Sequence, residues 1–110
     1  FGTIGTFSFY PTKNLGAIGD AGCCVTDDPQ LAQKITQLKN HGRASHYNYE
    51  MLGINSRLDG LQAAVLSVKL AELDGYNDAR RATAKRYNES LKNIAGITLP
   101  QEITGKHIYH

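Results

Sequence analysis

In the stretch TFSFYPTKNLGAIGDAG, residues 6–22, a single lysine stands between a short apolar-aromatic run and a glycine-rich tail. Lys13 follows Ser8 by five positions and has Pro11, Asn14 and Gly16 around it. A lysine held just past a strand end in a partly desolvated pocket loses its charge more easily, and the freed lone pair can attack a carbonyl to form a Schiff base. A serine hydroxyl and glycine amides close by are suited to a phosphate. The plainer alternative is a solvated surface turn, because proline, asparagine and glycine are all turn formers. Spacing alone leaves both open.

The elements around this lysine follow from local pattern. Residues 3–9, TIGTFSF, are rich in β-branched and aromatic types, and residues 21–26, AGCCVT, form a second apolar run, so two strands are predicted. The connection between them, YPTKNLGAIGD, exceeds the roughly two to five residues of a hairpin loop, and long connections often carry function. Asp28 followed by Pro29 has the form of a helix cap and first helical position, and Leu31, Ile35 and Leu38 then mark one face. That helix should run to about Asn40 and close at His41-Gly42. Residues 43–53 have no clear period and read as a loop. Ser56 with Asp59 has the spacing of a capping box, which predicts a helix over residues 57–70, apolar over so much of its girth that it should be largely buried. Beyond Asp74-Gly75 an amphipathic, more exposed helix should run toward Gly96. The ITLP stretch at 97–100 is predicted as a short strand.

The 110 residues allow one small domain with a modest core. Twelve basic and ten acidic side chains give a formal charge of +2, too weak a field to imply a nucleic-acid or acidic-membrane partner. No apolar run approaches the length of a membrane span. Cys23 and Cys24 are adjacent, so on a strand they point to opposite faces, which predicts neither a bridge nor a metal site and fits a reducing cytoplasm. His41 and His46 flank Arg43 in a loop without a matching carboxylate, the pattern of a polar surface rather than of metal ligands. Arg80, Arg81, Lys85 and Arg86 read as the solvated face of a helix. The start at Phe1 and the stop directly after KHIYH are expected to be cuts within a longer chain.

The stretch TFSFYPTKNLGAIGDAGCCVTDD resembles the segment that carries the cofactor lysine in sugar aminotransferases of the DegT/DnrJ/StrS family, which bind pyridoxal 5′-phosphate (PLP) on a fold-type-I scaffold. LKNHGR at 38–43, LGINSRLDGLQAAVLSVKL at 52–70 and the terminal HIYH agree with the same family in order and spacing. Two motifs in the right order are far more specific than either alone. The resemblance implies that Lys13 forms the Schiff base with PLP and later moves a proton between carbon atoms of the adduct. It implies that Ser8 hydrogen-bonds the PLP phosphate, and that Asn55 reaches the phosphate in the neighbouring subunit of a homodimer. Opening the helix predicted at 57–70, with Ser56 as its cap, Asn55 is expected to project from a positively polarised helix end. Asn14 should brace the lysine loop, while Gly16, Gly19 and Gly22 should allow close backbone approach and positive φ. His107 and His110 would contact the nucleotide-sugar. Tyr49 and Ile54 depart from the histidine and tyrosine that family members often carry there. The acidic partner of the pyridine nitrogen lies upstream of the lysine segment in this family, and Asp20 is not a candidate for it.

The expected fold is therefore α/β, the C-terminal part of a fold-type-I large domain over residues 1–72, followed by a linker helix and the start of a small domain over residues 73–110. The expected reaction moves an amino group, from glutamate as the usual donor, to a keto-sugar on a nucleoside diphosphate. No metal is expected. One rival is a PLP sugar dehydratase of the same fold, in which histidine replaces the lysine, and Lys13 argues against it. The other is a non-catalytic fragment that holds no cofactor.

Overall fold

The computed structural model describes residues 2–103 and 105–110. Strands β1 (Gly5–Ser8) and β2 (Gly22–Val25) pair antiparallel, with Gly5 opposite Val25 and Ser8 opposite Gly22. Both predicted strands are present, and the ladder continues one step past Ser8 through Phe9 N–H to Ala21 O at 2.8 Å. Helix α1 (Pro29–Leu38) starts as its sequence requires: Asp28 Oδ1 accepts from the amides of Gln30 and Leu31 at 2.8 and 3.2 Å, and Pro29 fills the first helical position. It ends where His41 and Gly42 take φ of 63° and 78°, with Gly42 N–H returning to Gln37 O at 2.8 Å.

Residues 43–53 depart from the predicted loop. Arg43–Ser45 (β3) and Asn48–Tyr49 (β4) form a small antiparallel hairpin with an irregular register, too short and too bulged to show a period-two pattern. The chain then runs back beside the end of α1. Ile54 N–H bonds Leu38 O, His41 N–H bonds Ile54 O, and Ser56 N–H bonds Lys39 O, at 2.9, 3.0 and 2.9 Å. This pairing corrects the next boundary. Because Ser56 spends its amide on Lys39, it does not cap a helix, and α2 (Gly60–Ala71) begins after Asp59 instead of at residue 57.

Helix α3 (Leu73–Leu91) follows α2 with only Glu72 between them, so the break falls earlier than the predicted Asp74-Gly75. Gly75 is carried inside α3 at the usual cost of about 1 kcal/mol relative to alanine. Gly96, at φ 83°, turns the chain after α3 as predicted. Residues 97–100 form no strand; among the described residues nothing pairs with them as a ladder. Nor is α2 largely buried. Leu66 is, but Leu61 and Val68 are 68% and 73% exposed. What the chain offers to cover α2 is the lysine loop and the start of α3, which reach one side of it only.

Candidate functional site

The lysine loop, residues 9–21, is shaped first by its own backbone. Lys13 N–H donates to Tyr10 O and Ala17 N–H to Phe9 O, at 2.9 and 2.8 Å, folding the connection back onto the end of β1. Gly16 is required here because a Cβ would collide with the Pro11 carbonyl, and a Cβ on Gly22 would sit 2.7 Å from Phe7 O. The expected close approach is thus present at these glycines. The expected positive φ is not, since the left-handed glycines are Gly2, Gly42, Gly96 and Gly105.

Three polar tethers then fix the loop to the helices. Ile18 N–H donates to Gln62 Oε1 at 2.9 Å and Lys69 Nζ to Gly16 O at 2.6 Å, both from α2. Asn14 Nδ2 donates to Asn77 Oδ1 of α3 at 2.8 Å and to Ile108 O at 3.0 Å. Asn77 is buried, and Ala17, 3% exposed, packs in the same region. Asn14 is the brace that its place beside the lysine predicted.

Lys13 projects its amine to the end of the chain, where Nζ lies 3.0 Å from His110 Nε2. Ser8 and Asn55 come together elsewhere. Both line a cavity of about 430 Å³ that also takes in Tyr10, Asp20, Ser56 and Arg57. Lys13 is not among its lining residues. Ser8 Oγ accepts from Tyr10 N–H at 3.3 Å, which leaves its hydroxyl proton to donate.

Asn55 does not project from a helix end; four residues separate it from Gly60. It is placed by an antiparallel bridge to Asn40. Arg57 Nε donates to Asn55 Oδ1 at 3.0 Å and Arg57 Nη1 to Asn40 Oδ1 at 3.2 Å. An asparagine whose oxygen is already taken turns its NH₂ outward as a donor. The cavity therefore gathers a hydroxyl, an amide and a guanidinium, donors suited to an anion, beside the carboxylate of Asp20. Arg57 was missed as a site residue because it was read as the first residue of the predicted helix; its place two positions after Asn55 in GINSR was the available signal.

The other polar residues are more ordinary, with one exception. His46 Nδ1 lies 3.1 Å from Arg43 Nη2, inside the small hairpin. Arg81 pairs with Asp78 within α3, and Lys85 and Glu89 stand 4.0 Å apart, both exposed. The exception is Arg80. It was expected on a solvated face, but its Nη1 donates to Tyr109 O at 3.0 Å and so ties the tail to α3. Cys23 and Cys24 are free thiols at successive positions of β2. No described helix is long and apolar enough to cross a membrane.

The chain is similar to known proteins along nearly all of its length. The chain is 49% identical over 98 residues to the dTDP-3-amino-3,4,6-trideoxy-alpha-D-glucose transaminase of Streptomyces venezuelae, covering 89% of this chain and 26% of that protein. It is 46% identical over 111 residues to the UDP-N-acetyl-3-dehydro-alpha-D-glucosamine 3-aminotransferase of Acidithiobacillus ferrooxidans, covering 100% and 30%. Among solved structures it superposes on NtdA from Bacillus subtilis with bound cofactor PMP at a TM-score of 0.83 and 37% identity, covering 96% of this chain and 26% of that one. The chain thus spans between a quarter and a third of the length of these relatives. The model of the DegT/DnrJ/EryC1/StrS aminotransferase family matches residues 1–110, and the chain belongs to that family.

Proposed function

We propose that this chain supplies the cofactor lysine and part of the phosphate site of a PLP-dependent enzyme that transfers an amino group, from glutamate as donor, to a keto-sugar carried on a nucleoside diphosphate. The observation that carries the reading is the tethered loop. Gln62, Lys69 and Asn77 hold the segment around Lys13 from two helices, a degree of fixation that a solvated surface turn does not need. Relatives named as transaminases of dTDP- and UDP-linked sugars support the substrate class. Lysine at position 13 stands against the dehydratase alternative, which requires histidine.

The residues present fit the cofactor. Ser8, Asn55 and Arg57 offer donors to a phosphate in one cavity, and the Gly16 cradle admits no added Cβ beside the lysine turn. PLP, when bound, supplies an electron sink that acidifies a C–H bond of the amino donor. Lys13 is then the residue that bonds to the cofactor and whose Nζ takes up and returns the proton, a role suited to an amine that titrates readily once desolvated. Ser8 and Asn55 bind and orient the phosphate. Arg57 holds the Asn55 oxygen so that its NH₂ is presented.

The intact protein acts as a cytoplasmic homodimer with cofactor sites at the interface, without a nucleic-acid or membrane partner. Exchange of Asn55 between copies is what the family resemblance of its segment implies; within one chain Asn55 shares a cavity with Ser8, which Lys13 does not line. Residues 1–72 are assigned to the end of the cofactor domain and 73–110 to the linker helix and the start of the small domain; the interruption at Glu72 between α2 and α3 supports that boundary. The test is to add PLP to the intact protein, scan for the visible absorbance of a lysine-linked cofactor, reduce with borohydride and map the labelled peptide. Label on Lys13 alone is the expected result. Label on another lysine, no label at all, or full activity in Lys13→Ala would overturn the assignment.

A further inference from the structure

We propose that His110 is the positioning partner of the cofactor lysine: its Nε2 accepts a hydrogen bond from Lys13 Nζ and so fixes where the amine's lone pair points. The proposal rests on Lys13 being the cofactor-linking amine and adds a residue to that function. The two side chains are separated by nearly the whole sequence and meet at 3.0 Å. The tail that delivers His110 is fastened at several points. Asn14 Nδ2 donates to Ile108 O at 3.0 Å, directly beside the lysine, and Arg80 donates to Tyr109 O from α3. Within the tail, Tyr109 N–H donates to His107 Nδ1 at 2.9 Å and His107 N–H to Glu102 Oε1 at 2.6 Å. Tyr109 takes φ 47°, a left-handed conformation that costs a non-glycine residue about 1 kcal/mol and that these bonds hold in place. The backbone reversal turns the last residue back onto the lysine.

Acceptance at Nε2 requires the imidazole proton to sit on Nδ1. When Lys13 gives its extra proton to solvent, one Nζ–H bond breaks with its electron pair staying on Nζ, while a second Nζ–H keeps donating to Nε2 and holds the lone pair away from the ring. Lys13 is left neutral and aimed. When a further proton binds the imidazole, the ring becomes a donor to the Nζ lone pair and the amine is blocked. The titratable and charged groups bonded to the tail that carries His110 are Arg80 from α3 and, within the tail, Glu102, His107 and Tyr109. Among them His107 is the other imidazole, and its Nδ1 already accepts from Tyr109.

The experiment compares the intact protein with His110→Gln, His110→Phe and His107→Gln by two readouts that need no turnover. Trace labelling with acetic anhydride, followed by peptide mapping, reports the reactivity of Lys13 against pH; the rate at which added PLP links to Lys13 reports its placement. In the wild type the logarithm of the labelling rate should rise with a slope of about one per pH unit at alkaline pH and of about two on the acid side, where a proton must leave both ring and amine. His110→Gln keeps an acceptor that does not titrate, so its slope should stay near one while PLP links at a rate within about twofold of wild type at pH 8. His110→Phe should lose the steep limb and link PLP about tenfold more slowly, an effect in the range of lost orientation. His107→Gln, which removes the ring nitrogen that Tyr109 N–H bonds, should keep the steep limb but link PLP at a rate between those of wild type and His110→Phe. Coincident profiles for wild type, His110→Gln and His110→Phe would overturn the pairing. A His110-dependent labelling profile in a protein that never links PLP to Lys13 would support the pair and remove its cofactor role, striking the functional assignment instead.

Discussion

Asn40 and Asn55 face one another across an antiparallel bridge, and the guanidinium of Arg57 closes the ring by donating to both side-chain oxygens. A turn after α1 is thereby coupled to a residue of the candidate phosphate site. The ring has a directional consequence: each asparagine oxygen is consumed internally, so what Asn55 presents to the cavity is a donor.

The first prediction follows from that ring. Arg57→Leu removes a cation from the cavity and both restraints on the asparagines, and should weaken PLP binding to the intact protein about tenfold, equivalent to about 1.4 kcal/mol. Asn40→Ala removes one restraint and leaves the cation, so it should weaken PLP binding by less, about threefold, an exposed hydrogen bond contributing little on its own. Fluorescence titration with PLP measures both. Equal losses, or the reverse order, would show that the ring does not position Asn55.

The second prediction concerns the loop backbone. A methyl group at Gly16 meets the Pro11 carbonyl and also Tyr10 O at 2.9 Å, both main-chain atoms that cannot rotate away. One at Gly19 meets the far end of the Gln62 side chain at 2.5 Å, which can. Gly16→Ala should therefore destabilise the intact protein by at least about 2 kcal/mol and abolish PLP linkage to Lys13, whereas Gly19→Ala should cost less than about 1 kcal/mol and keep it. Thermal unfolding together with borohydride trapping distinguishes the two. A well-behaved Gly16→Ala protein would mean that the lysine turn is not built as described.

Legibility in the sequence followed how local each signal was. The two strands, the Asp28-Pro29 start of α1 and the lysine loop between strands were all readable, because each is decided by neighbours within a few residues. The start of α2 was not. Ser56 and Asp59 have capping-box spacing, but the Ser56 amide is claimed by Lys39, seventeen positions away, and no local pattern encodes that pairing. The β3–β4 hairpin was missed because its irregular register spoils the alternation. For the site, Ser8, Lys13 and Asn55 were named through a family resemblance, and the structure brings Ser8 and Asn55 to one cavity. The contact of His110 with Lys13 and the tie from Arg80 to Tyr109 depend on a tail folding back over a helix, which periodicity does not report.

The third prediction comes from the surface left uncovered. The radius of gyration is 19.3 Å, with principal extents of 64 × 29 × 22 Å, whereas a compact domain of this size has a radius of about 13 Å. Among the described residues Ala17 and Leu66 are the buried apolar side chains, while Phe7, Leu61, Val68 and Leu70 are more than half exposed. Expressed alone, the 110-residue chain should show no cooperative urea transition and no sustained transamination of a keto-sugar by glutamate. A sharp two-state transition monitored by circular dichroism, or steady turnover, would show that the chain needs no further surface to fold and act.

The fourth prediction is that Asn55 acts on the cofactor linked to the other copy's Lys13. The helix-end argument for this role falls away, since α2 starts at Gly60. What remains is the family resemblance of its segment; within one chain the amine of Lys13 lies at His110 and Asn55 in a cavity that Lys13 does not line. Ser8 lines the same cavity as Asn55 within one chain, so a route inside each subunit has its own geometric basis and must be tested directly. A mixed dimer of the intact protein, one chain carrying Lys13→Ala and the other Asn55→Ala, separates the two routes. If Asn55 serves its partner, one pocket combines the Lys13 of the Asn55→Ala chain with the Asn55 of the Lys13→Ala chain and is whole. By the two-fold symmetry of an isologous dimer, about half the wild-type activity per dimer should return. If Asn55 serves its own chain, each pocket of the mixed dimer keeps one lesion. Activity would then not rise above the level of the Asn55→Ala homodimer, and the cavity shared by Ser8 and Asn55 would be the phosphate site of a single subunit.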